Sequence, residues 1–356
     1  MPRRLFTFCL LLWAASLYAR QFVMLPLPNQ LALPQSEVYR VFEDSEGYMW
    51  YATRGAGLCR DNGYQIDVFR SDRNNPNLLR SNAVTCIAEN VEQHEIWFGT
   101  KQGGYVLSKR DYQVRPIEGM DSHVHAILQT SDGSMWVAAR KQVKVFSAKG
   151  EPEDSFALSW KGRPMTVERM TLDSHGTLWL MQWDGGVQTI DTHTRQLTTM
   201  NWEEPTGPTS LAEDTLHHQM FVGTWGSGLF RYDGQHAQPL APELTTYMQR
   251  CVRSVHYDGW RQMLWVVTMA GLYAYTIDDD GELSPLSISH LGLTPQQAVF
   301  PLCFDRQGNV WVPATTPLTF ILRSTGGKWM KRLPLDQLTK QAGVQVPIDA
   351  FQTEGD

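Results

Sequence analysis

One short motif recurs seven times between residues 38 and 314, and it predicts an all-β chain folded as a seven-bladed β-propeller of four-stranded antiparallel blades. Three observations carry that expectation. An aromatic residue returns at Trp50, Trp97, Trp136, Trp179, Phe221, Trp265 and Trp311, in steps of 39 to 47 residues. That is the period of a blade made of short strands. The apolar runs around Val41, Ile87, Ile127, Met170, Leu211, Val255 and Leu302 alternate or are β-branched, which excludes helical repeats of similar length. Thirteen Trp, 28 Gly and 19 Pro in 356 residues fit many strands joined by tight turns.

Residues 1–19 precede the repeats and have the three parts of a secretory signal: Arg3 and Arg4, an apolar run from Leu5 to Ala15, then small residues ending near Ala19. The run is shorter than the roughly 20 residues that span a bilayer. Residues 20–356 are then expected to be the mature chain, a single propeller, periplasmic or secreted. No later stretch is long and apolar enough to cross a membrane as a helix.

In the first repeat, strand A is placed near 38–43, B near 48–53, C near 57–61 and D near 64–69. The turn Asp44-Ser45-Glu46-Gly47 joins A to B, because Asp bonds its own backbone and Gly accepts a positive φ. Ser131-Asp132-Gly133, Asp173-Ser174-His175-Gly176 and Asp305-Arg306-Gln307-Gly308 repeat that chemistry. The recurrent aromatic on strand B fills the wedge between neighbouring blades. Ring closure needs a strand from one terminus in the blade begun at the other. Phe22–Leu27 and Trp329–Leu333 both qualify.

The run Glu43-Asp44-Ser45-Glu46-Gly47-Tyr48-Met49-Trp50, followed by Arg60-Asp61-Asn62-Gly63-Tyr64, resembles the two-component regulator propeller repeat. Gly223-Thr224-Trp225-Gly226-Ser227-Gly228-Leu229 in the fifth repeat is similar to it as well. Repeats three and seven are degenerate. The resemblance runs from about 22 to 330 and implies the periplasmic sensor region of hybrid histidine kinases and related regulators. Such proteins typically carry two propellers, a β-sandwich, a membrane helix and a kinase. With seven repeats and no kinase motif, this sequence is expected to be a stand-alone or truncated sensor that signals through a membrane-bound partner.

Chemistry leaves fewer traces. The formal charge is −6, from 31 Lys+Arg against 37 Asp+Glu with no basic block, so nucleic acid is not an expected partner. Phosphate-loop, zinc-protease, serine-nucleophile and EF-hand motifs are absent, and no cofactor, metal or catalytic residue is assigned. Cys59, Cys86, Cys251 and Cys303 lack CxxC spacing, and buried free thiols are favoured over disulfides. His123 and His125 share a strand face without an evident third ligand, which favours hydrogen-bonded histidines over a metal pair. His217 and His218 are expected as exposed turn residues.

Strand A starts and B–C loops lie at one end of the ring, where propellers usually admit ligands. There the register gathers Arg40, His125, Glu168, Arg169 and Arg253 near one channel mouth, with Trp183 and Trp225 beside glycines on the rim. Arginine forks suit carboxylates and sulfates, and exposed indoles stack on sugars. The leading functional expectation is an exported module recognising a carbohydrate or similar polar ligand, or a partner protein. The alternatives are a propeller lyase or hydrolase acting on polysaccharide or lactone, and a protein-interaction platform.

Overall fold

The computed structural model describes residues 22–27, 33, 37–71, 79–182, 186–200, 207–291, 301–313 and 320–324. Residues Val23–Arg323 make one compact unit. Of the other, residues 1–22 with 324–356, only Phe22 and Ser324 are described, each at the end of a strand. The expected signal segment and Trp329–Leu333 lie outside the described residues.

Seven antiparallel sheets of four strands follow one another as blades of a propeller. In blade 1 the order from inside out is Val38–Glu43, Met49–Thr53, Leu58–Asp61 and Ile66–Phe69, within a residue or two of the expected bounds. Blade 7 is ordered Cys303–Phe304, Val310–Val312, Phe320–Ser324 and Phe22–Pro26. The N-terminal strand therefore completes the last blade, which leaves its third strand no open edge.

The repeated aromatics take equivalent places on strand B. Trp50 stands opposite Phe42, Trp97 opposite Ala88, Trp136 opposite Leu128 and Trp265 opposite His256. Trp50, Trp97 and Trp136 sit in the wedge towards the following blade. Trp50 packs with Val84, Ile96 and Phe98 of blade 2, and Trp97 meets Phe146 of blade 3 at 5.3 Å between ring centroids. Trp311 closes the circle by packing against Val38 and Val41 of blade 1. The same wedges require glycine on strand B of blades 2 and 5. A Cβ on Gly99 would come within 2.7 Å of Val124 Cγ1, and one on Gly223 within 2.4 Å of Val252 Cγ1, both valines belonging to the next blade's inner strand.

The turn aspartate does more than shape its own hairpin. Asp44 Oδ1 accepts the backbone N–H groups of Glu46 and Tyr48, while Oδ2 accepts the Trp50 indole N–H at 2.9 Å. Asp173 with Trp179 and Asp305 with Trp311 repeat this brace at 2.9 and 2.8 Å. Blade 5 has Phe221 at the aromatic position. There Asp214 Oδ2 bonds His217 Nδ1 and Gln219 Nε2 instead, so His217 is a half-buried partner of Asp214 and not the exposed turn residue expected.

A glutamate at the end of the inner strand works between blades in blades 1, 2 and 5, where Glu43 accepts the N–H of Arg306 of blade 7 at 2.7 Å. Glu89 of blade 2 accepts the N–H and hydroxyl of Ser45 in blade 1, both at 2.6 Å. Glu213 of blade 5 holds Ser174 of blade 4 in the same way. Such a glutamate and the turn serine of the preceding blade thus form a clasp along the rim opposite the channel mouth. Cys59, Cys86 and Cys251 are buried free thiols and Cys303 a half-buried one. Burial pushes the thiols of Cys59 and Cys86 up to about 12 and about 11.

Candidate functional site at the channel mouth

The inner strands do not run in perfect register with their neighbours. In five blades one extra residue near the strand start has no partner on strand B: Tyr39, Thr85, His125, Thr209 and Arg253. Such a bulge re-aims a side chain that strict alternation would direct into the sheet face. In blade 4, Glu168 holds the equivalent place, directly before the paired Arg169. Thr85 and Thr209 turn sideways, their hydroxyls donating to the carbonyls of Val124 at 2.6 Å and Val252 at 2.7 Å in the following blades. The remaining bulge residues form a polar layer at the mouth.

One residue deeper stand Arg40 and Arg169, again at matching places in blades 1 and 4. Deeper still is His256, whose Nε2 accepts the N–H of Leu302 at 3.1 Å. Sequence reasoning passed over His256 because it is the residue opposite Trp265, an ordinary strand position by pattern.

The electrostatics show that these groups converge. Burial pushes the Arg169 guanidinium down to about 9, with the charges of Arg40 and Arg253 adding and Glu168 opposing. It remains protonated at neutral pH. Burial also lowers Arg40 and Arg253. Burial, with help from Arg169 and Arg40, pushes His256 down to about 3, which keeps it neutral and able to accept from Leu302. Residues from blades 1, 4 and 6 thus share one channel.

On the blade 3 side, His125 Nδ1 lies 3.5 Å from Glu168 Oε2, and the His123 and His125 rings lie 3.9 Å apart between centroids, tilted by 31°. Burial and then His125 push His123 down to about 4. Among the described residues no group of three or more His, Cys, Asp or Glu could hold a metal.

The rim is only partly as expected. Trp183 lies outside the described residues. Trp225 is half-buried, and its backbone N–H donates to Gly207 at 2.8 Å. Next to it a short helix, Tyr247–Arg250, lays the Tyr247 ring over Gly226 and leaves Tyr247 58% and Met248 44% exposed. Among the described residues, Trp225 and Tyr247 are adjoining aromatics at this end. The capping box from Thr246 to Gln249 is a sequence mark of that helix. A hairpin of Ser159–Trp160 and Arg163–Pro164 adds Lys161 and Arg163, both exposed, to the same end.

Cavities open here among the described residues. A groove of about 320 Å³ runs along blade 6 between Leu272, Tyr273, Pro285 and Leu286. A space of about 10 Å³ lies between blades 4, 5 and 6, lined by Glu168, Arg169, Gln182, Thr209 and Arg253.

The family model described as two component regulator propeller matches residues 32–55, which cover strands A and B of blade 1. No curated protein matches the chain by sequence. Among solved structures, the extracellular domain of a hybrid two-component system from B. thetaiotaomicron is 15% identical with a TM-score of 0.67. The extracellular domain of a one-component system from the same organism is 17% identical with a TM-score of 0.64. These matches cover 85% of this chain and 42% and 40% of those chains, so the chain spans about two-fifths of their length. A catalytically inactive virginiamycin B lyase from Staphylococcus aureus, solved with quinupristin, is 15% identical with a TM-score of 0.64; the match covers 85% of this chain and 98% of the lyase. The propeller fold is thus shared with the extracellular domains of these two systems and with the lyase, and one repeat of it matches the two component regulator propeller model.

Proposed function

We propose that this chain is an exported recognition module of sensor type, binding an acidic saccharide or a comparable anionic ligand at the channel mouth. One observation carries the reading: Arg40, Arg169 and Arg253 come from three blades into one channel, where Glu168 is the carboxylate adjoining Arg169. A guanidinium fork binds a carboxylate or sulfate through two parallel bonds. Trp225 and Tyr247 supply stacking surface. The likeness to extracellular sensor domains favours binding over turnover, and residues 1–19 are the export signal. A membrane-bound partner would carry the message onward.

The test is calorimetric titration of acidic oligosaccharides, such as oligogalacturonates, into wild type and an Arg169→Ala/Arg253→Ala variant. Loss of one charge-assisted pair weakens binding at least 10-fold by the usual magnitude of such bonds. Unchanged affinity in the variant removes this site. Cleavage of the signal is checked by N-terminal sequencing of protein recovered from the envelope, which is expected to begin near Arg20. An intact Met1 contradicts export by this segment.

A second reading has its own support. His125 and Glu168 form an ion-pair-distance couple beside the arginines, and a lyase shares the fold. If the bound saccharide or a lactone is turned over, and Glu168→Gln abolishes turnover while binding persists, the protein is an enzyme of that class.

A further inference from the structure

We infer that the ligand is a chain of acidic sugars and not a single one, entering the channel at Arg169 and running outward over the rim of blades 2 and 3, where Lys101 and Arg140 take its further carboxylates. This path rests on the saccharide reading above. One position that repeats from blade to blade points to it. The residue after strand B stands opposite the residue just before the first pair of strands A and B: Arg54 opposite Glu37 in blade 1, Lys101 opposite Ala83 in blade 2 and Arg140 opposite His123 in blade 3. In blade 1 the cation is neutralised where it stands, with Arg54 Nη1 2.9 Å from Glu37 Oε2. Blade 2 has only an alanine at that place. Blade 3 has His123, which burial and then His125 push down to about 4, so it is uncharged at neutral pH. Lys101 and Arg140 are both exposed, their charges reach His123, and among the described residues neither has an ion-pair partner.

Exposed cations need no counter-charge for stability, but like charges gathered on one edge of a channel set up a field that draws in an anion and orients it. Here the field is local, because the whole chain carries a formal charge of −6. Lys141 follows Arg140, and the hairpin adds Lys161 and Arg163, so the arc continues round to Arg169 on blade 4. The described carboxylates of that stretch are Glu118, Glu168 and Asp121, the last paired with Arg80 at 3.2 Å. The way outward from Arg169 is short, since Glu168 lies 3.5 Å from His125 and the two histidine rings are 3.9 Å apart. In blades 4 to 7 the residue after strand B is Gln182, Trp225, Met269 and Pro313, none of them charged. Positive charge therefore leads away from the channel over blades 2 and 3. A single sugar acid meets one end of that arc, whereas the evenly repeated carboxylates of a chain match its length.

Calorimetric titration of digalacturonate and hexagalacturonate into wild type, Lys101→Gln/Arg140→Gln and Arg110→Gln/Lys149→Gln tests this. The last variant removes the same charge from exposed turns at the opposite ends of the same two blades. Both variants are expected to unfold at the wild-type midpoint, since the replaced side chains are exposed. Wild type is expected to bind the hexamer more tightly than the dimer. Lys101→Gln/Arg140→Gln is expected to lose about 10-fold for the hexamer at low salt, the size of two exposed ion pairs, with the dimer unchanged and the difference shrinking as salt rises. Arg110→Gln/Lys149→Gln is expected to match wild type. Hexamer affinity indifferent to Lys101 and Arg140 overturns the inference, as does an equal loss for both lengths or an equal loss in the opposite-end variant. Hexaglutamate bound as tightly through the same two residues overturns the choice of a sugar chain. If dimer binding depends on Arg169 and Arg253 while the rim substitutions do nothing, the channel site stands and the path over the rim falls; if the rim substitutions matter and Arg169→Ala/Arg253→Ala does not, the channel site falls instead. Binding of neither oligomer overturns both.

Discussion

Asp173→Ala isolates the brace that repeats through the propeller. Asp173 is 7% exposed; its Oδ2 accepts the Trp179 indole at 2.9 Å, and its Oδ1 accepts the N–H groups of His175 and Thr177 at 3.0 and 2.8 Å. Removing the carboxylate leaves a buried indole donor without a partner, at a cost of about 2–3 kcal/mol. The two turn N–H groups can turn to water, and losing their bonds costs about 0.5 kcal/mol each, for a total of about 3–4 kcal/mol. Trp179→Phe removes the donor together with its need, as blade 5 does naturally with Phe221. The double-mutant cycle is therefore expected to show a coupling of about 1.5–2 kcal/mol between the two sites. Urea unfolding of wild type, both single variants and the double variant measures it. A loss below 1 kcal/mol for Asp173→Ala, or additive single effects, would refute the idea that the aspartate stabilises the blade through the indole.

Two further outcomes follow from the core and the channel. Trp136→Ala removes a fully buried ring packed between blades 3 and 4 and is expected to cost about 3–5 kcal/mol; a denaturation midpoint near wild type would show that the wedge is not core. His123 and His256 are pushed down to about 4 and about 3 in the fold, against about 6.5 in an unfolded chain, so below pH 6.5 the unfolded state binds more protons. Stability is then full above that pH and falls as the pH drops towards 4, while the lowered Asp214 acts only at still lower pH. His256→Gln keeps an acceptor for Leu302 and is expected to flatten the slope between pH 6.5 and 4.5; an unchanged slope in urea unfolding across that range would contradict a buried neutral His256.

Blade number, strand order and wedge aromatics were legible because they are written in local chemistry. Asp-Ser-x-Gly makes a hairpin wherever it occurs, and a Trp six residues after the aspartate falls on strand B by spacing alone. Arg40, His125, Glu168, Arg169 and Arg253 could be placed at one end of the ring on the same grounds. Their depth could not. A bulge adds one residue to the inner strand and reverses which side of the sheet the following side chains take, and hydrophobic alternation does not mark where that residue enters. Hence Thr85 and Thr209, alike in position to His125 and Arg253, tie blades together, while Arg169 drops below Glu168. Closure by Phe22–Pro26 and the role of His256 were likewise decided by the tertiary structure. Local sequence sets the conformation of each hairpin, but the channel is lined by one inner strand from each blade. Its chemistry exists only where side chains some 40 or more residues apart in sequence come within reach of one another's charge.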